Sequence, residues 1–184
     1  MIKIAIAGAH GSKKTELVTK LEGELKRRGK TVGIVSKIAE SSPFGCGSLT
    51  NFHSQRYIFH QQLLSELEGK YKDPDVLICD GSIIDNVSYT EYLLEQNKTF
   101  HMVEFLQMVE MARLWAKDYD YVIFTPLIQK NAGAEAKDIE KLIKETIQCF
   151  NVNMIKARKN FNVSTFLDRF TEKKKVRIIN RKKR

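Results

Sequence analysis

Cysteine is scarce in this chain and badly spaced for cross-linking. Its three cysteines, Cys46, Cys79 and Cys149, form no Cys-x-x-Cys pair. An odd, scattered set suggests neither a disulfide framework nor a zinc site. Cys46, His53 and His60 stand seven residues apart, a spacing that does not converge on one metal. Long apolar runs are missing too: none approaches the ~20 residues that span a bilayer. The apolar start is too short, and ends in the wrong residues, for a secretory signal. A cytoplasmic protein with no membrane partner is therefore expected. Proline occurs only three times in 184 residues, and there is no repeat or low-complexity linker to divide the chain. Acidic residues are absent from Lys173 to Arg184, which holds eight basic ones. Taking those eight from the net charge of +9 leaves the rest of the chain at +1. The expected organisation is one domain over residues 1–170 and a basic tail over residues 171–184.

The informative stretch lies at the start. Ile2-Lys3-Ile4-Ala5-Ile6-Ala7 reads as a buried strand, and Leu17, Val18, Leu21 and Leu25 have helical spacing. Between them runs Gly8-Ala9-His10-Gly11-Ser12-Lys13-Lys14-Thr15. Strand, glycine-containing loop, Lys-Thr and helix is the context of a phosphate-binding P-loop. Such a loop cradles phosphates with backbone N–H groups, and the helix N-terminus adds a positive dipole end. Gly8, His10, Gly11, Ser12, Lys13, Lys14 and Thr15 are thus the candidate nucleotide-binding set. Lys14 would reach the β/γ-phosphates and Thr15 would ligate Mg²⁺. The motif places glycine where this chain has Lys13. A strand–turn–helix corner with a basic helix start is the plainer alternative, but positive charge is unfavourable there, so a bound anion better explains Lys13-Lys14.

The remaining pattern predicts a helix from Lys14 to Arg28 stopped by Gly29, a strand over Thr31–Val35, and a loop over Ser36–Thr50. A helix follows over Asn51–Tyr71, with Phe52, Phe59, Leu63 and Leu67 on one side. Val76–Asp80 reads as a central strand, with Asp80 at the edge where ligands collect in open α/β sheets. Helices are expected over Ile83–Glu95 and, capped by Thr99, over Phe100–Lys117. The latter has apolar residues at positions 102, 105, 106, 109 and 112. Then come a strand over Tyr121–Phe124, a helix from about Lys137 to Arg158, and a last strand over Val163–Leu167. This is an α/β architecture: a five-stranded, mainly parallel sheet with helices on both faces.

The chain resembles the P-loop nucleoside/nucleotide kinase-like group, and within it small AAA-type ATPases with a kinase-like fold. The resemblance spans residues 2–125 and rests on three blocks. These are Gly8 to Thr15; Ala39-Glu40-Ser41-Ser42-Pro43 with Gln55, Ile58, Gln62 and Glu66; and Ile78 to Asn86 with Tyr89. It implies a three-layer P-loop NTPase fold, an ATP (or GTP) and Mg²⁺ site, and a small-molecule phosphate acceptor. Relatives usually show Ala-Arg-Ser where this chain has Ala39-Glu40-Ser41, and Asp-Arg-Ser where it has Asp80-Gly81-Ser82. A lid arginine is expected after the fourth strand, where only Lys130 occurs. Phosphoryl transfer depends on positive charge around the transferring group, and lysine does not reproduce a bidentate arginine.

Individual residues keep two readings. Asp80 is an acid that holds Mg²⁺ or acts as a catalytic base, or a solvated acid at a strand end. Asp85 contacts an acceptor or simply sits at a helix N-terminus. Glu40 is a general base for a hydroxyl acceptor or a charge swap that ended catalysis. His10 faces solvent or phosphate. Phe44, Gln55 and Tyr57 line a base-stacking pocket or belong to the core. Three functions follow: a Mg·ATP-dependent kinase for a nucleoside, nucleotide or similar molecule; a nucleotide-binding sensor or partner-binding module with little or no transfer activity; and a nucleic-acid-associated NTPase using the tail. The tail can hold RNA, an acidic partner or ligand phosphates, or merely solubilise the chain.

Overall fold

Alternation along the central strands builds two opposed cores. The computed structural model describes residues 1–45, 51–97, 101–128, 132–158 and 161–168. Five strands, β1 (Ile2–Ala7), β2 (Val32–Val35), β3 (Val76–Asp80), β4 (Tyr121–Phe124) and β5 (Met154–Lys156), form one sheet in the order β2-β3-β1-β4-β5. Every pairing is parallel, and the register sets Ile6 beside Asp80 and Ala7 beside Phe124. Ile4, Ile6, Ile78 and Ile123 face helix α1 (Lys14–Arg27) through Leu17, Val18, Leu21 and Leu25. Ala5, Ala7, Leu77, Cys79, Val122 and Phe124 face the opposite side. That side is covered by α2 (Phe52–Tyr71), α3 (Ile83–Asn97), α4 (Met102–Trp115) and α5 (Ala134–Cys149). Period-two burial on both faces is what a parallel sheet sandwiched by helices requires. Among the described residues no helix is long and apolar enough to cross a membrane.

Two expectations at the C-terminal end are corrected. The helix expected over residues 137–158 runs from Ala134 to Cys149 and is followed by β5. Asn151, at φ +50, turns the chain out of the helix in the left-handed conformation common at helix ends. Met154 has helical spacing from Ile147 and Phe150, yet it lies on an edge strand with little burial of its own. The strand expected over Val163–Leu167 is helical across residues 163–168. Asn162 caps it, its Oδ1 accepting the Thr165 N–H at 3.0 Å. The adjacent pair Phe166 and Leu167 is buried against the α1 side of the sheet.

Burial also departs from pattern on two helices. Leu67 of α2, and Met102 and Leu106 of α4, are exposed, whereas Met108 of α4 is buried. The buried face of α2 carries Gln55, Gln62 and Glu66 beside Phe59 and Leu63. Glu66 pairs with buried Lys3 of β1 at 2.7 Å, and accepts from Trp115 Nε1 (2.7 Å), Tyr119 Oη (2.8 Å) and Gln62 Nε2 (2.7 Å). Lys3 Nζ also lies 4.7 Å and 4.8 Å from the ring centroids of Trp115 and Tyr119. A buried charge pair survives only when its remaining hydrogen-bonding capacity is met, and here α2, α4 and the turn before β4 supply it. Cys46, Thr99, Phe100, Lys130 and the tail from residue 169 onward lie outside the described residues.

Candidate functional site

The loop after β1 and the carboxyl end of β3 meet because the register makes them neighbours. Gly8 follows Ala7, and Gly81 donates its N–H to the carbonyl of Ile6 at 3.1 Å. Thr15, in the first turn of α1, donates its hydroxyl to Asp80 Oδ2 at 2.7 Å. A hydroxyl and a carboxylate thus converge as hard oxygen donors at the positive end of α1. This is the donor chemistry that suits Mg²⁺, which takes few protein ligands beside phosphate and water. No side chain caps α1, so its first backbone N–H groups lack intrahelical acceptors. Lys14 Nζ folds over the loop, donating to the carbonyls of Gly8 (2.6 Å) and Ala9 (3.2 Å). Lys13 sits at φ +62 and ψ +35, a left-handed conformation that glycine adopts without a steric penalty. Its ammonium is 3.6 Å from Glu16, an exposed pair.

The loop is clamped from behind. Ser12 is buried, and its hydroxyl bonds to Thr125 Oγ1 at 2.9 Å. Thr125 follows β4 and donates its own N–H to Ala7 O at 2.8 Å. A Cβ on Gly8 would come within 2.6 Å of Thr125 and Ser12 atoms, so this approach admits only glycine. Asp85 is buried and accepts the Gly8 N–H and the Ser82 N–H, each at 3.1 Å. Ser82 Oγ accepts the Asp85 N–H at 3.2 Å, completing a reciprocal cap at the start of α3. Burial pushes the Asp85 carboxyl up to about 7, offset in part by Lys14 and the two N–H donors. One helical turn on, Tyr89 Oη accepts the His10 N–H at 2.8 Å.

The candidate residues therefore separate. Lys14, Thr15 and Asp80 come together with Gly8, while Ser12 is buried behind the loop. His10 is exposed with its backbone held by Tyr89. Glu40 lies on an exposed 3-10 turn, Ala39–Ser41, beyond β2, with no hydrogen bond to the loop or Asp80 among the described residues. Gly81, where the resemblance led to the expectation of arginine, has φ +97. A Cβ there would meet only Asp85 Oδ2, at 3.9 Å, so backbone strain rather than crowding at Cβ disfavours it. Gln55 turns into the core, away from Phe44 and Tyr57, whose rings meet edge to face at 5.9 Å.

Sequence reasoning missed Ser12–Thr125, Tyr89–His10 and the double role of Asp85. The spacing Ser82-x-x-Asp85 was the one available signal, since it is a capping-box pattern. Asn86 lies in the first turn of α3. Its Nδ2 is buried without a hydrogen-bond partner among the described residues.

No protein-family model matches the chain, and no curated protein matches it. Solved structures do. Deoxyadenosine kinase from M. mycoides with bound dATP superposes with a TM-score of 0.60 at 15% identity, covering 94% of this chain and 98% of that one. The same enzyme with bound dCTP gives 0.56 at 14% identity over 95% and 100%. With the products dCMP and a flexible dCDP bound, it gives 0.57 at 15% identity over 95% and 100%. At this identity the likeness concerns architecture: the chain has the three-layer fold of a P-loop kinase, an all-parallel five-stranded sheet with helices on both sides.

Proposed function

We propose that the protein binds a nucleoside triphosphate, ATP or GTP, with Mg²⁺ at the loop Gly8–Thr15 and transfers phosphate to a nucleoside, nucleotide or similar small acceptor. The observation that carries this reading is the 2.7 Å contact between Thr15 and Asp80 at the uncapped start of α1. In that reading the N–H groups of the loop and of the first turn of α1 bind the phosphates. Lys14 leaves the loop carbonyls to neutralise the β/γ-phosphates. Thr15 and Asp80 hold the metal, which supplies charge neutralisation on the phosphate oxygens. Asp85 and Tyr89 keep the loop backbone in shape. The M. mycoides kinases, with the same fold and bound deoxynucleotides, support a nucleotide ligand here.

A second reading, a nucleotide-binding sensor with weak transfer, draws on Gly81 and Glu40 standing where relatives have arginine, and on the position of Glu40 away from the loop. Calorimetry with Mg·ATP on wild type and Lys14→Ala tests the shared part. Loss of one charge-assisted phosphate contact should weaken binding by about 1.5–3 kcal/mol; equal affinity would remove Lys14 from the site. Assays with Asp80→Asn and a panel of nucleosides and nucleotides separate the two readings. Nucleotide binding without turnover on any acceptor favours the sensor.

A further inference from the structure

A loop at a helix N-terminus is suited to negative ligands, yet a carboxyl group stands directly behind this one. Asp85 is only 5% exposed, and its Oδ1 accepts the N–H of Gly8, the first residue of the loop. Its Oδ2 accepts the N–H of Ser82. Both partners are neutral donors, and no ion pair reaches Asp85 among the described residues. Lys14 gives its ammonium to the carbonyls of Gly8 and Ala9 instead. Charge acts on Asp85 from two elements: Lys14 of α1 favours its ionised form, and Asp80 of β3 opposes it. Tyr89 of α3 is a neutral phenol, pushed up to about 12 by burial. Glu135 of α5 acts on Tyr89, and Thr125 at the end of β4 carries no charge. Lys14 is thus the cation that offsets the burial of Asp85.

We propose that Asp85 takes up a proton from solvent when the phosphates of a nucleotide bind the loop, so that the affinity of the site falls as pH rises above neutrality. The proposal rests on the nucleotide reading above and adds a proton to it. Two charge changes act in the same direction. Phosphates bring negative charge to the loop whose first N–H Asp85 already accepts. They also answer the charge of Lys14, which then no longer offsets burial. Each change disfavours the carboxylate and favours the acid. A protonated Asp85 keeps acceptor capacity for Gly8 and Ser82. The loop therefore retains its brace and loses a repulsive charge behind the phosphates. Only an O–H bond forms, and the proton comes from water or buffer. A group whose pKa rises on binding holds the ligand best when it is already protonated. Affinity from this source is complete below about pH 7 and falls above it, by at most about tenfold per pH unit. Asp85 is a positioning residue whose charge, as well as its geometry, is tied to the ligand.

Calorimetry of the full chain with Mg·ATP, run in two buffers of different ionisation enthalpy, counts the protons taken up. Wild type should take up roughly half a proton or more at about pH 7.5, and its affinity should fall about tenfold between about pH 6.5 and about pH 8.5. Asp85→Asn keeps an oxygen for the Gly8 N–H and removes the charge, so uptake and pH dependence should both shrink by those amounts. Comparing the two proteins cancels protons exchanged by the nucleotide itself. His10, exposed on the loop, is the neighbouring side chain that ordinarily titrates near neutrality; His10→Gln should leave most of the uptake in place. Carboxyl carbon shifts of isotopically labelled wild type, free and with Mg·ATP, need no variant. The Asp85 midpoint should rise by about one pH unit or more on binding. Binding without proton uptake, uptake that Asp85→Asn retains, or a carboxyl midpoint that nucleotide does not move would each overturn the proposal and leave the nucleotide site standing. A chain that binds no nucleotide at any pH would sink the nucleotide reading itself.

Discussion

Asp85 joins the fold to the site through two hydrogen bonds and one ionisation. Its carboxyl, ordinarily near 3.8, is pushed up to about 7 by burial. A raised carboxyl pKa means that the folded protein holds a proton the unfolded chain releases. Stability from this group is therefore complete below pH 3.8 and falls as pH rises towards 7. The full swing is on the order of a few kcal/mol, with Lys14 and Asp80 as the charged neighbours that modulate it. Chemical denaturation of wild type and Asp85→Asn across pH 4–7 should show a flatter pH dependence in the variant; identical slopes would mean that Asp85 does not titrate there. Two other residues carry backbone consequences. Lys13→Gly removes a left-handed lysine and should raise stability by about 1 kcal/mol, read as a Tm higher by about 2–4 °C. Gly81→Arg should lower stability by about 1–2 kcal/mol because of φ +97. A neutral result for Gly81→Arg in thermal unfolding would show that the turn relaxes easily.

At the scale of elements, α3 is the brace of the phosphate loop. Asp85 and Tyr89, one turn apart, face the same way and hold Gly8 and His10. Tyr89→Phe keeps the packing and removes one acceptor, so nucleotide affinity should drop by about 1 kcal/mol, roughly fivefold, with little change in Tm. Amide hydrogen exchange at His10 should also quicken; unchanged exchange would mean that the hydroxyl does not hold the loop. This brace was only partly legible in the sequence. Strand, loop and first helix are local: their signals fall within residues 2–25 and none depends on a distant partner. β3 announced itself as an apolar run ending in an acid. The C-terminal elements did not. The apolar positions of α5 continue at helical spacing through Phe150 to Met154, and the turn at Asn151 has no strong sequence marker. The residues behind the loop were invisible because Ser12 and Thr125 meet 113 positions apart, and His10 and Tyr89 79 apart.

Across the whole molecule, the pair Lys3–Glu66 ties the central strand to the helical layer. Its partners stand far apart in sequence, and in the sequence Lys3 is one residue of an apolar strand with nothing nearby to mark its partner. Glu66→Gln leaves a buried ammonium without its counter-charge and should cost about 3–5 kcal/mol in chemical denaturation. Removing both charges with Lys3→Met and Glu66→Gln together should recover much of that loss. A single variant as stable as wild type would show that the pair is not desolvated as a unit. Trp115 and Tyr119 bond to the same carboxylate, and Tyr119 Oη accepts the Ile83 N–H at 3.2 Å where α3 begins. The damage should therefore extend to the brace of the loop. The central claim, however, concerns the edge where β1 and β3 end. Titrating the isotopically labelled full chain with Mg·ATP and following backbone amide shifts tests it most directly. The expected result is that the largest saturable changes fall on residues 8–16 and on Asp80 and Gly81. Changes absent there, or confined to the basic tail, would contradict a phosphate site at the loop.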